Sequence, residues 1–214
     1  MKLKIRRATR DDAEFLAWVM LASSRGHVSR GIWDLLIGAG DAGCLDYLKR
    51  LAVAEPRSLC RYDSFLMAEA GGRPAAALCV YKPSEGGWDL VAKAMANVQR
   101  DLGWTETERE ASRQRMAPAL ACFIPEAGED WSIEFVATLP EYRRRGLVDA
   151  LLREAIQEGV VRGCKLAQIT ILAGNEAAQR AYEKRGFRVH AERGSEEFRS
   201  AIGAPGFRSL MRKP

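Results

Sequence analysis

Metal chemistry has little to draw on in this chain. It contains only two histidines, His27 and His190, with no His-x-x-x-His pair and no cysteine cluster beside either. A zinc site therefore has no recognisable ligand set, and no metal is expected. The G-x-x-x-x-G-K-[ST] phosphate loop and the Ser-His-Asp elbow are also missing, which removes two common catalytic architectures. The five cysteines, Cys44, Cys60, Cys79, Cys122 and Cys164, are odd in number, widely spread and without a C-x-x-C pair. That usage suits reduced thiols in a cytoplasmic protein better than a disulfide frame. Residues 1–10 alternate cations with apolar side chains and have no apolar centre, so neither a signal peptide nor a membrane span is expected there. No internal repeat or low-complexity tract is present.

Charge excludes a further class. The 33 Lys and Arg exceed the 28 Asp and Glu by a net +5, but the two signs are interspersed and no aromatic-basic stripe occurs. Nucleic-acid binding needs positive charge gathered on one face, so no nucleic-acid partner is expected. At 214 residues the chain can bury a sizeable core as one domain spanning residues 1–214.

The apolar periodicities predict a mixed α/β chain. Leu3 to Arg6 alternates as a strand, Thr9 with Asp12 marks a helix start, and Phe15, Leu16, Val19 and Met20 form the buried stripe that follows. Residues 32–54 read as helix in pieces, broken by glycines 38, 40 and 43. Two apolar runs, 65–70 and 75–81, meet at Gly71-Gly72 as a hairpin. Residues 88–102 and 106–120 read as helices, forming a helical insertion at about 88–121. Arg113 and Arg115 lie on the second of these, most simply on a solvated face. Strands are then expected at 131–138, 166–172, 187–193 and 207–212, the last two joined by a polar connection; His190 on the first of that pair looks structural. The expected fold is a mixed, twisted central sheet with helices on both faces.

The segment EFVATLPEYRRRGLVDALL, Glu134 to Leu152, is a strand, a turn and a helix with a built-in anion site. Pro140 cannot continue the strand, and Val148, Leu151, Leu152, Ala155, Ile156 and Val160 fall on one helix face. Arg143, Arg144, Arg145 and Gly146 precede that helix, so cations, unpaired backbone N–H groups and the positive end of the dipole coincide. That combination suits a pyrophosphate, and Gly146 lets backbone approach it without a Cβ in the way. A second segment, NEAAQRAYEKRGF, runs from Asn175 to Phe187.

Arg143-x-x-Gly146, followed by Leu147 and Val148, resembles the cofactor-binding motif of the GNAT superfamily of acetyl-CoA-dependent N-acetyltransferases. The family pattern ends in Gly or Ala where this chain has Val148. Asn175, Ala178, Tyr182, Gly186 and Phe187 match the family's second motif in identity and spacing. The resemblance covers Asp130 to Phe187 well, the N-terminal strand and helix loosely, and the middle of the chain hardly at all.

The resemblance implies a GNAT-like sheet and acetyl-CoA as co-substrate, its phosphates at Arg143, Arg144, Arg145, Gly146 and Val148. It also implies a pantetheine arm along the main chain of the preceding strand, at Val136 and Thr138. Val136 is the expected donor to the thioester oxygen. Tyr182 matches the family's Tyr and is the expected general acid toward the leaving thiolate, although its i, i+3, i+4 face with Ala178 and Ala181 also accounts for it as packing. Asn175 serves as a helix cap, a contact to the cofactor, or both. Glu134 is an unusual carboxylate inside a β-forming run; a general base and a salt-bridged strand residue are both open readings. Its alternation groups it with Ser132, Val136 and Thr138. The break at residues 25–34 offers His27, Arg30 and Trp33 as acceptor-lining groups. It also reads as a surface loop with Trp33 anchoring the next helix and His27 making an ordinary hydrogen bond.

The function expected is direct acetyl transfer from acetyl-CoA to the primary amine of an acceptor, most simply a small molecule. The alternatives are an inactive acyl-CoA-sensing module and a peptide or protein N-acetyltransferase. A cytoplasmic location and a homodimer complete these expectations.

Overall fold

The computed structural model describes residues 3–126 and 130–213; Met1, Lys2 and Pro214, the first two within the segment read above as no leader, lie outside them. Among the described residues seven strands form one sheet in the order β1-β2-β3-β4-β5-β7-β6. They are β1 (Leu3–Arg7), β2 (Phe65–Ala70), β3 (Arg73–Tyr81), β4 (Trp131–Thr138), β5 (Ala167–Leu172), β6 (Arg188–Gly194) and β7 (Gly206–Arg212). Every pairing is antiparallel except β4 with β5, which is parallel.

One face of the sheet is covered by α1 (Ala13–Arg25), α2 (Ile32–Ile37), α3 (Asp41–Leu51) and, through a short turn α4 (Pro83–Gly86), α5 (Trp88–Asp101). Leu16, Val19 and Met20 of α1 pack there against Phe65, Met67 and Cys79 of the sheet. The single 3-10 turn Arg10–Asp12 that leads into α1 starts where the Thr9/Asp12 spacing predicts: Thr9 donates its N–H (2.7 Å) and hydroxyl (3.0 Å) to Asp12, which also receives Arg6 at 2.8 Å. The other face carries α7 (Leu147–Val161) and α8 (Glu176–Glu183), which bury Leu147, Leu151, Leu152 and Tyr182 against Leu78, Ile133 and Ile169. All five cysteines are free and buried. No helix of the described residues is long and apolar enough to cross a membrane.

Three expectations need correction. The last two strands are joined by a helix, α9 (Glu196–Ile202), as well as by polar residues. Ser195 caps it, accepting from the Phe198 N–H at 3.1 Å, and the Phe198 ring meets Phe207 edge-on at 4.8 Å. The buried stripe of α7 is rotated from the expected one, because Gly159 faces inward and Val160 is 47% exposed. A Cβ on Gly159 would stand 2.7 Å from the indole of Trp131, whose N–H donates to the Ala155 carbonyl at 2.7 Å. Glycine at this position leaves the indole the space a side chain would occupy. Finally, Arg115 of α6 (Glu106–Ala121) is not on a solvated face. Its guanidinium donates to the carbonyls of Leu35 (2.7 Å) and Leu36 (3.2 Å), tying α6 to the C-terminal end of α2.

Candidate active site

The site begins with an irregularity in β4. Between Ala77 and Cys79 the β3 register advances two residues while β4 advances three, from Glu134 to Ala137. The extra residue is a bulge, and Phe135 takes it up with φ +52°, a left-handed conformation rare for a side chain of that size. The bulge corrects the face assignment made from simple alternation. Glu134 stays beside Ser132, opposite Cys79, whereas Val136 and Thr138 pass to the α7 face.

It also redirects the main chain. Trp131 donates its N–H to Leu166 on the β5 side, and Leu139 donates to Ala75 on the β3 side. Counting back from Leu139 in twos, the N–H groups of Val136 and Thr138 point away from β3. On that side β5 has already departed, since β4 and β5 pair only from Trp131 to Ile133. The two strands splay beyond that point, leaving unpaired main chain along one edge of the gap.

A cavity of about 790 Å³ fills the splay. Glu134, Val136, Thr138, Arg143, Asn175 and Tyr182 all line it, so residues from both sequence motifs meet there. Trp33 lines it too, while His27 and Arg30 are exposed and do not. His27 lies against Gly174, its Nε2 3.2 Å from where a Cβ on that glycine would be. Asn175 caps α8, accepting from the Ala178 N–H at 3.2 Å. Its amide nitrogen also sits 3.0 Å from a Cβ built on Gly26, so the 25–30 turn closes against it.

At the cavity's other margin, Arg143 reaches back to the Thr138 carbonyl at 3.4 Å and Arg145 lies over the Tyr142 ring at 5.5 Å. Arg144, exposed, has φ +59°, and Gly146 has φ +76° at the N-terminus of α7. No atom lies within 4 Å of a Cβ built on Gly146, so its backbone conformation and the open space above it define the position. Val148 packs against the core beneath α7 and leaves the first-turn N–H groups of that helix facing the loop. An anionic group fits this end.

The opposite end is acidic and apolar, and most of it was not visible in sequence. Helices α5 and α6 roof the cavity with Trp88, Met95 and Met116, Phe123 lines it from the connection after α6, and Trp18 of α1 forms a side wall. Glu126, in the connection after α6, lines it as well and accepts a hydrogen bond from the Tyr81 hydroxyl. No sequence periodicity marked this residue, because its place depends on β3 and on the path of the insertion. Burial pushes the Glu134 carboxyl well above the ordinary carboxylate range, and the nearby charge of Glu126 pushes it further. Glu126 is raised by its own burial. Burial likewise lifts the Tyr182 phenol, with the charge of Glu134 adding to it, so Tyr182 holds its proton at neutral pH. Among the described residues no ion pair neutralises Glu134 or Glu126, and no cluster of three or more His, Cys, Asp or Glu suited to a metal occurs.

The raised carboxyl has a measurable consequence for stability. A glutamate with a folded-state pKa above its unfolded value of about 4.3 contributes stability that is complete below that value and is lost as pH rises through the folded pKa. Glu134→Gln cannot ionise and should escape this loss. Melting temperatures followed from about pH 4 to about pH 9 should show the variant gaining on the wild type as pH rises above the carboxylate range. Parallel curves would show that Glu134 titrates normally.

The family model described as "Acetyltransferase (GNAT) family" matches residues 44–187. Solved structures with the same fold include an acetyltransferase (TM-score 0.70, 17% identity, 98% of each chain covered). An N-acetyltransferase from Staphylococcus aureus Mu50 has a TM-score of 0.70 and 18% identity, with 98% of this chain and 100% of that chain covered. An agmatine N-acetyltransferase has a TM-score of 0.55 and 14% identity over 100% of both chains. At these identities the likeness is one of fold. No curated protein matches the sequence.

Proposed function

Because the chain belongs to the acetyltransferase (GNAT) family and is an acyltransferase, we propose that it transfers an acetyl group from acetyl-CoA directly to the primary amine of a small molecule. The observation that carries this reading is that Glu134 and Tyr182, from separate parts of the chain, line one cavity opening onto the β4/β5 splay. That cavity is roofed by the inserted helices. A roof of this kind favours a small acceptor over a protein surface, which would need an open groove. The agmatine enzyme of similar fold offers a small-molecule amine as precedent.

Acetyl-CoA supplies an activated thioester. The loop Arg143, Arg144, Arg145, Gly146 and the first turn of α7 at Val148 hold its phosphates. Main-chain groups of Val136 and Thr138 position the pantetheine arm, and Asn175, whose side chain is engaged in its cap, flanks it. The Val136 N–H, directed into the splay by the bulge, stabilises negative charge developing on the carbonyl oxygen. Glu134 accepts the proton that the ammonium must lose before its nitrogen can attack; a carboxyl raised above the ordinary range by burial binds that proton more strongly than an ordinary one. Tyr182, held protonated by burial, returns a proton to the leaving thiolate. Holding both partners in one cavity makes the attack effectively intramolecular.

The direct test is thiol release from acetyl-CoA across a panel of primary amines, amino acids and short peptides. Acceptor-dependent release on small amines is the expected result, and release on peptides alone would overturn the small-molecule reading. Tyr182→Phe should lower kcat by roughly 10²-fold or more with acetyl-CoA affinity held, since it removes a proton donor and little volume. An unchanged kcat would remove Tyr182 as the acid.

A further inference from the structure

The acceptor end of the cavity has a composition that narrows the amine. Ring follows ring along it: Phe135 lies 6.0 Å from Trp33, Trp33 6.4 Å from Trp88, and Trp88 6.0 Å edge-on to Phe123. Both carboxyls line the same cavity as this aromatic wall, Glu134 beside the Phe135 bulge on β4 and Glu126 just after Phe123 in sequence. Tyr81 holds Glu126 in place by donating its hydroxyl, and Glu134 is enclosed with no hydrogen-bond or ionic partner among the described residues. Tyr81 lies opposite Ser132, two residues before Glu134 on the same strand, so Glu126 and Glu134 line the same end of the cavity and one cation there can meet both. The other charges lining this end are guanidinium groups on α6. Both are paired with their own carboxylates, Arg113 with Glu106 (2.6 Å) and Glu110 (2.8 Å) and Arg109 with Glu106 (4.0 Å). A second ammonium lying along the aromatic wall would therefore find no unpaired carboxylate and would be desolvated without a partner.

Resting on the acetyl-transfer reading above, we propose that the acceptor is a monocationic primary amine with a bulky apolar or aromatic body. Its ammonium is held between Glu126 and Glu134, and its body lies along Phe135, Trp33, Trp88 and Phe123. Glu126 is then an acceptor-binding residue, and the aromatic wall, which offers a second ammonium no anion, selects against di- and polyamines. The specificity differs from that named for the agmatine enzyme of similar fold, whose acceptor carries a second cation.

Hexylamine and 1,6-diaminohexane share a carbon chain and differ by one ammonium, so they isolate the second charge; 2-phenylethylamine adds an aromatic body. Both thiol release and calorimetric binding are to be measured for the three. The expected result is a kcat/KM for hexylamine and 2-phenylethylamine at least about tenfold above that for 1,6-diaminohexane, with binding in the same order. Glu126→Gln keeps an acceptor oxygen for Tyr81, and it should raise KM for hexylamine about tenfold, the loss falling on KM more than on kcat. Preference for the diamine, or an unchanged KM in Glu126→Gln, would overturn the inference while leaving acetyl transfer intact. Monoamine binding in the expected order without thiol release would support the acceptor site and remove the transfer reading. Failure of both monoamines to bind or react would overturn the acceptor assignment.

Discussion

Glu134→Gln is expected to reduce kcat by roughly 10²- to 10⁴-fold near neutral pH, the range for loss of a positioned general base. The isosteric amide keeps the shape of the cavity wall and removes the proton acceptor. Acetyl-CoA should bind with little change, because its proposed contacts lie on the Arg143 to Val148 loop and the main chain of β4. The pH profile carries the more specific signature. Glu134 must be ionised to accept a proton, and burial with the Glu126 charge holds its pKa above the ordinary carboxylate range. Activity of the wild type should therefore rise with pH along a limb displaced upward from that range, and the limb should be missing from the residual activity of the variant. Persistence of the limb in Glu134→Gln would assign it to another group, with Glu126 the next candidate.

Gly146→Asp is expected to weaken acetyl-CoA binding by at least about 100-fold, or about 2.7 kcal/mol, measured by calorimetry. Two effects combine. At φ +76° any Cβ-bearing residue is strained by about 1–2 kcal/mol, and a carboxylate here repels the phosphates that the three arginines attract. The protein itself offers no steric objection, since the space above Gly146 is open. Gly146→Ala therefore separates the two: it carries the backbone strain alone and should weaken binding by only about tenfold. Equal, small effects from both would mean that the phosphates do not sit at this turn.

Much of the frame could be read from local pattern. The limits of β4, the hairpin at Gly71-Gly72, the two inserted helices and the Asn175 cap all follow from periodicity, turn residues and capping chemistry. Short-range physics fixes them, so a window of ten residues contains the cause. The α7 stripe was right in kind and wrong in phase, because the inward Gly159 is explained only by Trp131 on a neighbouring strand. The connection before β7 looked polar, yet Phe198 and Ile202 anchor a helix in a cluster with Ala119 and Cys122, remote in sequence.

The chain's residues alone therefore specify the arginine-glycine turn before α7 and the match to an acetyltransferase family: a glycine with left-handed backbone and a run of cations before a helix act through neighbours in sequence. The Glu126 and Glu134 end of the cavity arises from long-range contacts. A one-residue bulge at Phe135 sets which β4 groups face the gap, and the folding over of α5 and α6 brings Glu126 toward Glu134. Desolvation then lifts both carboxyls. Dielectric environment and register sum over the whole assembled core, and neither is carried by any single segment of sequence.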